Sequence, residues 1–142
     1  MNLSQLPMSA IFLYCIAAAA LLVYLPFLVV AYARVRVGYD MAAPRAMFDK
    51  LPNYAQRATW AHQNSLEAFM LFAAAALMAY VTAEHSSVAI GAAIAFVVAR
   101  LLYSVFYILN VPLARSLMFA IGTVCSGTLI VLSLLRVTSS TI

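Results

Sequence analysis

Two sets of polar residues stand at helical spacing inside stretches that are otherwise almost wholly apolar. Arg57, Trp60, Asn64, Glu67 and Leu71 recur at steps of three and four, and so do Arg100, Tyr103, Tyr107 and Asn110. On helices each set forms one stripe. Ionisable and hydrogen-bonding groups in such surroundings are costly to bury and commonly serve binding or proton transfer. Facing each other from antiparallel neighbours, the stripes would pair Glu67 with Arg100, and each charge would reduce the penalty of burying the other. Glu67 lies ten residues from Arg57, about 15 Å along a helix axis. Arg100 lies about 18 Å into its own stretch, so both fall near the middle of a bilayer. From that floor Asn64, Tyr103, Tyr107 and Asn110 lead up to Arg34, Arg36 and Arg115. The expected shape is a polar pocket rimmed by arginines and suited to a small anion. The plainer alternative is that the pair and the tyrosines only lock helices together in lipid.

The stripes need long helices to carry them, and the composition supplies these. The chain has 142 residues, of which 67% are apolar and 8% charged, with eight basic and four acidic side chains and a net charge of +4. The charged share is about a third of that in an ordinary soluble domain. So few charges cannot cover a soluble surface, and the apolar content excludes a disordered chain. No side chain is charged from Met1 to Ala33, from Ala68 to Ala83, from Ser86 to Ala99 or from Ser116 to Leu135. A spanning helix takes about 20 apolar residues. The reading is all-α: a single membrane domain over 1–142, a four-helix transmembrane bundle with spans at about 8–33, 58–83, 88–109 and 116–135. The runs do not alternate as outer-membrane strands do. Nothing basic precedes the first apolar run, which continues past Ala17–Ala20 to Ala33, so it reads as a retained first span rather than a signal peptide.

Arg34, Arg36, Arg45, Lys50 and Arg57 flank the first link, and Arg115 lies in the third; Arg136 alone is basic on the opposite side. The positive-inside rule makes 34–57 a cytoplasmic loop and places both termini on the non-cytoplasmic side. The basic balance therefore reports topology, and no extended basic surface exists for nucleic acid. Cys15 and Cys125 lie within spans with no ligand-like spacing, so they read as core residues and no metal site is expected. Tyr14, Tyr24, Tyr32, Tyr39, Tyr54 and Phe106 read as interface anchors or packing residues. His62 lies about 140° round the helix from the Arg57 stripe, which makes it a packing contact by geometry. Gly91, Ala95 and Ala99, and Gly122 with Gly127, offer faces for close helix approach.

The run Arg57-Ala58-Thr59-Trp60-Ala61-His62-Gln63-Asn64-Ser65-Leu66-Glu67 resembles the second-helix signature of the MAPEG family, membrane-associated proteins of eicosanoid and glutathione metabolism. Arg100-x-x-Tyr103-x-x-x-Tyr107, followed by Arg115, is similar to the family's third-helix signature, and Gly38-Tyr39-Asp40 with Pro44-Arg45 looks like its bacterial branch. The resemblance implies a homotrimer in a bacterial inner membrane, with glutathione as cosubstrate between subunits near the cytoplasmic face. It implies that Asn64 and Glu67 hold the glutathione backbone and amino group, with His62 just upstream and Arg100, Tyr103 and Tyr107 in the pocket. Arg57 lies one turn earlier on the same stripe, and Arg34 or Arg36 comes from a neighbouring subunit. Arg115 takes the catalytic part, stabilising the glutathione thiolate.

A cation beside a thiol raises its thiolate fraction, and the thiolate would attack a small apolar electrophile arriving through the lipid bilayer. Transferase or peroxidase activity is the reading this favours. Trp60 stands where the family signature usually has an arginine. That favours an alternative: a non-catalytic trimeric scaffold, a lipid-binding protein or an accessory subunit of a larger membrane complex. A transporter using Glu67 and Arg100 as a relay fits less well, because the four spans show no inverted repeat.

Overall fold

The computed structural model describes residues 8–140. Four long helices follow one another: α1 (Met8–Arg36), α2 (Asn53–Val81), α3 (Ser87–Ile108) and α4 (Pro112–Ser140), with a short 3₁₀ helix (Pro44–Lys50) in the first link. All four are long and apolar enough to cross a membrane. Among the described residues there is no strand.

Helix boundaries differ from the charge-based limits because prolines and turns, rather than charges, set them. Pro52 caps α2, which starts five residues before the expected Ala58. Pro112 opens α4, where a missing N–H leaves nothing unsatisfied. Hence Arg57, expected to flank the loop, lies within α2. The helix α1 ends at a Gly38 with φ +89°, a conformation that glycine adopts without steric penalty.

The two short links share one design. After α2, Glu84 N–H donates to the Ala79 carbonyl (2.9 Å) and Ala83 N–H to that of Tyr80 (3.3 Å); after α3, Val111 N–H donates to Phe106 (2.9 Å) and Asn110 N–H to Tyr107 (3.2 Å). These are paired Schellman closures, and each needs a left-handed residue. Ala83 (φ 53°) and Asn110 (φ 60°) fill that place. Asn110 is therefore a turn residue and leaves the stripe on which the spacing had placed it. Glu84 also accepts from Ser86 N–H (3.1 Å), and the Ser86 hydroxyl caps α3 by accepting from Ala89 N–H (3.2 Å).

The main core lies between α1, α2, α3 and α4, with Phe12, Cys15, Phe72, Phe96, Cys125 and Leu129 buried among alanines. Alanine at 75, 76, 79, 89 and 93 brings backbones close enough for Phe72 and Phe96 to stack at 3.8 Å and 3°. Both cysteines are free and buried, as expected. The outer surface is apolar, with Leu21, Leu28, Val124 and Leu134 more than half exposed, which suits lipid contact. Tyr14, Tyr24, Tyr32, Tyr39 and Tyr54 all face outward. Of the glycines expected at close contacts, only Gly122 meets one; a Cβ at Gly91 or Gly127 would enter open space.

Two outcomes follow from the α2–α3 turn. Ala83→Gly relieves a left-handed alanine and is expected to raise stability by about 0.5–1 kcal/mol, read from denaturant unfolding in detergent. Hydrogen bonding from Ser86, aided by the charges of Arg136 and His85, holds the Glu84 carboxyl below its ordinary value. Its stabilising contribution is thus complete above the unfolded value of about 4.3 and is lost as pH falls through the lower folded value. Melting between about pH 6 and pH 3 should show a smaller acid-side fall in Glu84→Gln than in the native chain.

Candidate functional site

Arg100, in the middle of α3, is 4% exposed. Its Nη2 donates to Asn64 Oδ1 (3.1 Å) and to Ser65 Oγ (3.2 Å) on α2. Its Cζ lies 4.1 Å from the centroid of the Tyr103 ring, one turn further along its own helix. A π face, an amide and a hydroxyl thus receive the guanidinium. On the α4 side Gly122 leaves room: a Cβ there would lie 3.6 Å from Arg100 Cδ and 3.7 Å from the Phe96 ring. The Nε of Arg100 is buried and has no hydrogen-bond partner.

Glu67 does not form the expected ion pair with Arg100: no guanidinium nitrogen lies within 4.0 Å of its carboxylate oxygens. The two stripes do face each other, but Asn64 and Ser65 lie nearer, so they take the guanidinium one turn short of the carboxylate. Glu67 is exposed at the edge of a cavity of about 250 Å³ that Asn64, Arg100, Phe96, Phe119 and Thr123 also line. A second cavity, of about 260 Å³, continues towards the α3–α4 turn between Tyr103, Tyr107, Arg115, Ser116 and Phe119. Phe119 borders both. Arg115 Cζ stands 4.6 Å from the Tyr107 ring centroid, and Tyr107 meets Tyr103 edge-on at 5.5 Å. Six expected residues, Asn64, Glu67, Arg100, Tyr103, Tyr107 and Arg115, therefore lie along one polar track between α2, α3 and α4.

Three others lie elsewhere in the chain. Arg57 Nε donates to the carbonyl of Ile108 (3.0 Å), the last residue of α3. That carbonyl has no helical donor, and a cation there also suits the negative end of the helix. His62 faces α1: its Nδ1 lies 2.8 Å from the Val23 carbonyl, so Nδ1 carries the proton and donates. Pro26, inside α1, interrupts the ladder of α1 just beyond Val23. Arg34 lines a third cavity with His62 and Trp60, across α2 from Arg100. Sequence spacing missed Ser65, Gly122 and Phe119. A serine beside Asn64 gave a weak signal; Gly122 was read only as a helix contact. Among the described residues no group of three or more His, Cys, Asp or Glu side chains could hold a metal ion.

The family model for the MAPEG family matches residues 11–135, nearly the whole chain. The chain belongs to the MAPEG family. No curated protein and no solved structure matches it. In this MAPEG protein the fold brings the second-helix run, through Asn64, against the third-helix run, through Arg100 and Tyr103. Four apolar spans and family membership make it a multi-pass membrane protein.

Because Arg57 closes the end of α3, Arg57→Gln is expected to lower stability by about 1 kcal/mol. Denaturant unfolding in detergent, compared with the native chain, provides the check.

Proposed function

We propose that this MAPEG protein is a glutathione-dependent transferase or peroxidase. In this reading it works as a homotrimer on small apolar electrophiles, at the cytoplasmic face of a bacterial inner membrane. One observation carries the reading. Arg100, whose buried Nε has no partner, and Glu67, whose carboxylate has no cation in ion-pair reach, line a single cavity. An unused donor and an unused acceptor so close together suit a zwitterionic ligand. Glutathione has two carboxylates, an ammonium group and a thiol, and the residues fit it. Arg100 would take a carboxylate, Glu67 the ammonium and Asn64 a backbone amide. Arg115, further along the track, is the cation available to the sulfur.

When bound, glutathione supplies the nucleophile. Arg115 stabilises the thiolate over the thiol, whose ordinary pKa is about 8.5, and so raises the reactive fraction near neutral pH. Tyr107 beneath its guanidinium limits where that charge can point. Phe96 and Phe119 keep the cavity wall apolar on the side where an electrophile would enter from lipid. The exposed carboxylate of Glu67 at mid-span supports a trimer, because a charge facing hydrocarbon is expensive and a neighbouring subunit would cover it. Trp60 favours the second reading, a non-catalytic scaffold, lipid-binding or accessory subunit: this ring leaves no guanidinium at its position and packs on Phe48 (5.6 Å).

Isothermal titration of the detergent-purified protein with glutathione decides between them. Binding in the millimolar range or tighter is expected, weakened about tenfold or more by Glu67→Gln or Arg100→Gln. Arg115→Ala should leave affinity near that of the native chain and suppress the thiolate absorbance. No heat at millimolar glutathione overturns the enzyme reading in favour of the non-catalytic one.

A further inference from the structure

We infer that the Phe119 ring positions the sulfur of a bound thiol: it is the partition between the cavity that holds the ligand's charged end and the cavity that holds Arg115. This rests on the reading that the site binds glutathione. Among the described residues, Phe119 is the one that lines both cavities, of about 250 Å³ and 260 Å³. Arg100, Glu67 and Asn64, the groups suited to a carboxylate, an ammonium and an amide, line only the first. Arg115 lines only the second. Tyr107, beneath the Arg115 guanidinium, follows Arg100 by seven residues on α3, about 10 Å along the axis. A ligand anchored at Arg100 therefore reaches Arg115 by running along the helices, and the ring of Phe119 stands between them.

The ring is placed to swing. Phe119 lies one turn after Arg115 on α4, so both project from one face of that helix. Its centroid is 6.4 Å from that of Tyr103, with the planes at 45°, near the outer end of the range over which aromatic pairs attract. It is 45% exposed, so much of the ring has no protein against it. Gly122, three residues on, offers no side chain beside it. A contact this loose leaves more than one staggered position open to the side chain. With the ring towards Tyr103 the two cavities are separate; with the ring turned towards lipid they become one groove. The anchored thiol then lies beside Arg115, which favours its thiolate. No bond forms or breaks at Phe119, and its part is positioning alone.

Replacing Phe119 with larger and smaller side chains separates positioning from packing. Glutathione affinity is measured by isothermal titration of the detergent-purified full chain, and the thiolate by its ultraviolet absorbance at saturating glutathione. Phe119→Trp enlarges the partition and is expected to leave the dissociation constant within about twofold of native. It should cut the thiolate absorbance about tenfold, as if the thiol's pKa had returned by one unit towards its free value. Phe119→Leu should keep both readings, and Phe119→Ala should keep the affinity with a thiolate signal at or above native. A side chain needed only for packing gives the reverse order, since truncation to Ala then costs most. Should Phe119→Trp fail to fold, Phe119→Ala alone decides, and loss of its thiolate signal overturns the partition. A Phe119→Trp chain that keeps the signal overturns it too. So does an about tenfold loss of affinity in any variant, which makes the ring part of the binding wall. These results leave the enzyme reading in place. No heat from the native chain, or binding with no thiolate signal, overturns that reading itself and this inference with it.

Discussion

A guanidinium buried at the middle of four apolar helices is the constraint to which the rest of this structure answers. Removing such a charge from water is tolerable only where its donors find partners. In Arg100, Nη2 finds Asn64 and Ser65 on α2, the guanidinium lies over the Tyr103 ring of α3 itself, Gly122 on α4 leaves it room, and Nε alone stays without a partner. Each requirement fixes one helix against another. Asn64 sets the depth of α2, and Gly122 sets the approach of α4. In that register Phe72 stacks on Phe96, one turn before Arg100. The polar track along Tyr103, Tyr107 and Arg115 is the continuation of the same arrangement towards the membrane surface.

The same logic governs the smaller polar groups. In hydrocarbon a hydroxyl without a partner is as unwelcome as an unpaired amide. Ser104, Ser126 and Ser133 are buried, and each donates to the carbonyl four residues earlier in its own helix. They are silent members of the bundle. Ser65 differs because its oxygen accepts from Arg100. The helix α2 thus divides the molecule, with Asn64, Ser65 and Glu67 towards α3 and α4, and Thr59, Trp60, His62 and Gln63 towards α1 and the first link.

Much of this was legible in the sequence. Absence of charge over long runs gives four spans, and steps of three and four give two polar faces. The facing of Asn64 to Arg100 follows from those steps alone. Lateral distance does not, because periodicity fixes direction round a helix and not separation across a groove; the Glu67–Arg100 pair failed for that reason. Arg57 keeps the step of the Asn64–Glu67 stripe, but its side chain is drawn to the Ile108 carbonyl at the end of α3 and so leaves the site. Asn110 kept the helical step, but backbone closure removed it from the helix face. Arg34 and His62 needed three-dimensional contacts with α1 and the 3₁₀ helix that no spacing encodes.

The two Schellman turns have one further consequence. Each is only a few residues long and is closed by the same pair of backbone bonds, so α2, α3 and α4 form a chain of rigid hairpins with little freedom to slide. The link between α1 and α2 is the only long one among the described residues, and it carries its own 3₁₀ helix. Insertions, deletions and changes of sequence can therefore accumulate there without altering the depth of Arg100. Descendants of this chain are free to remodel what meets the first link while inheriting the polar track unchanged.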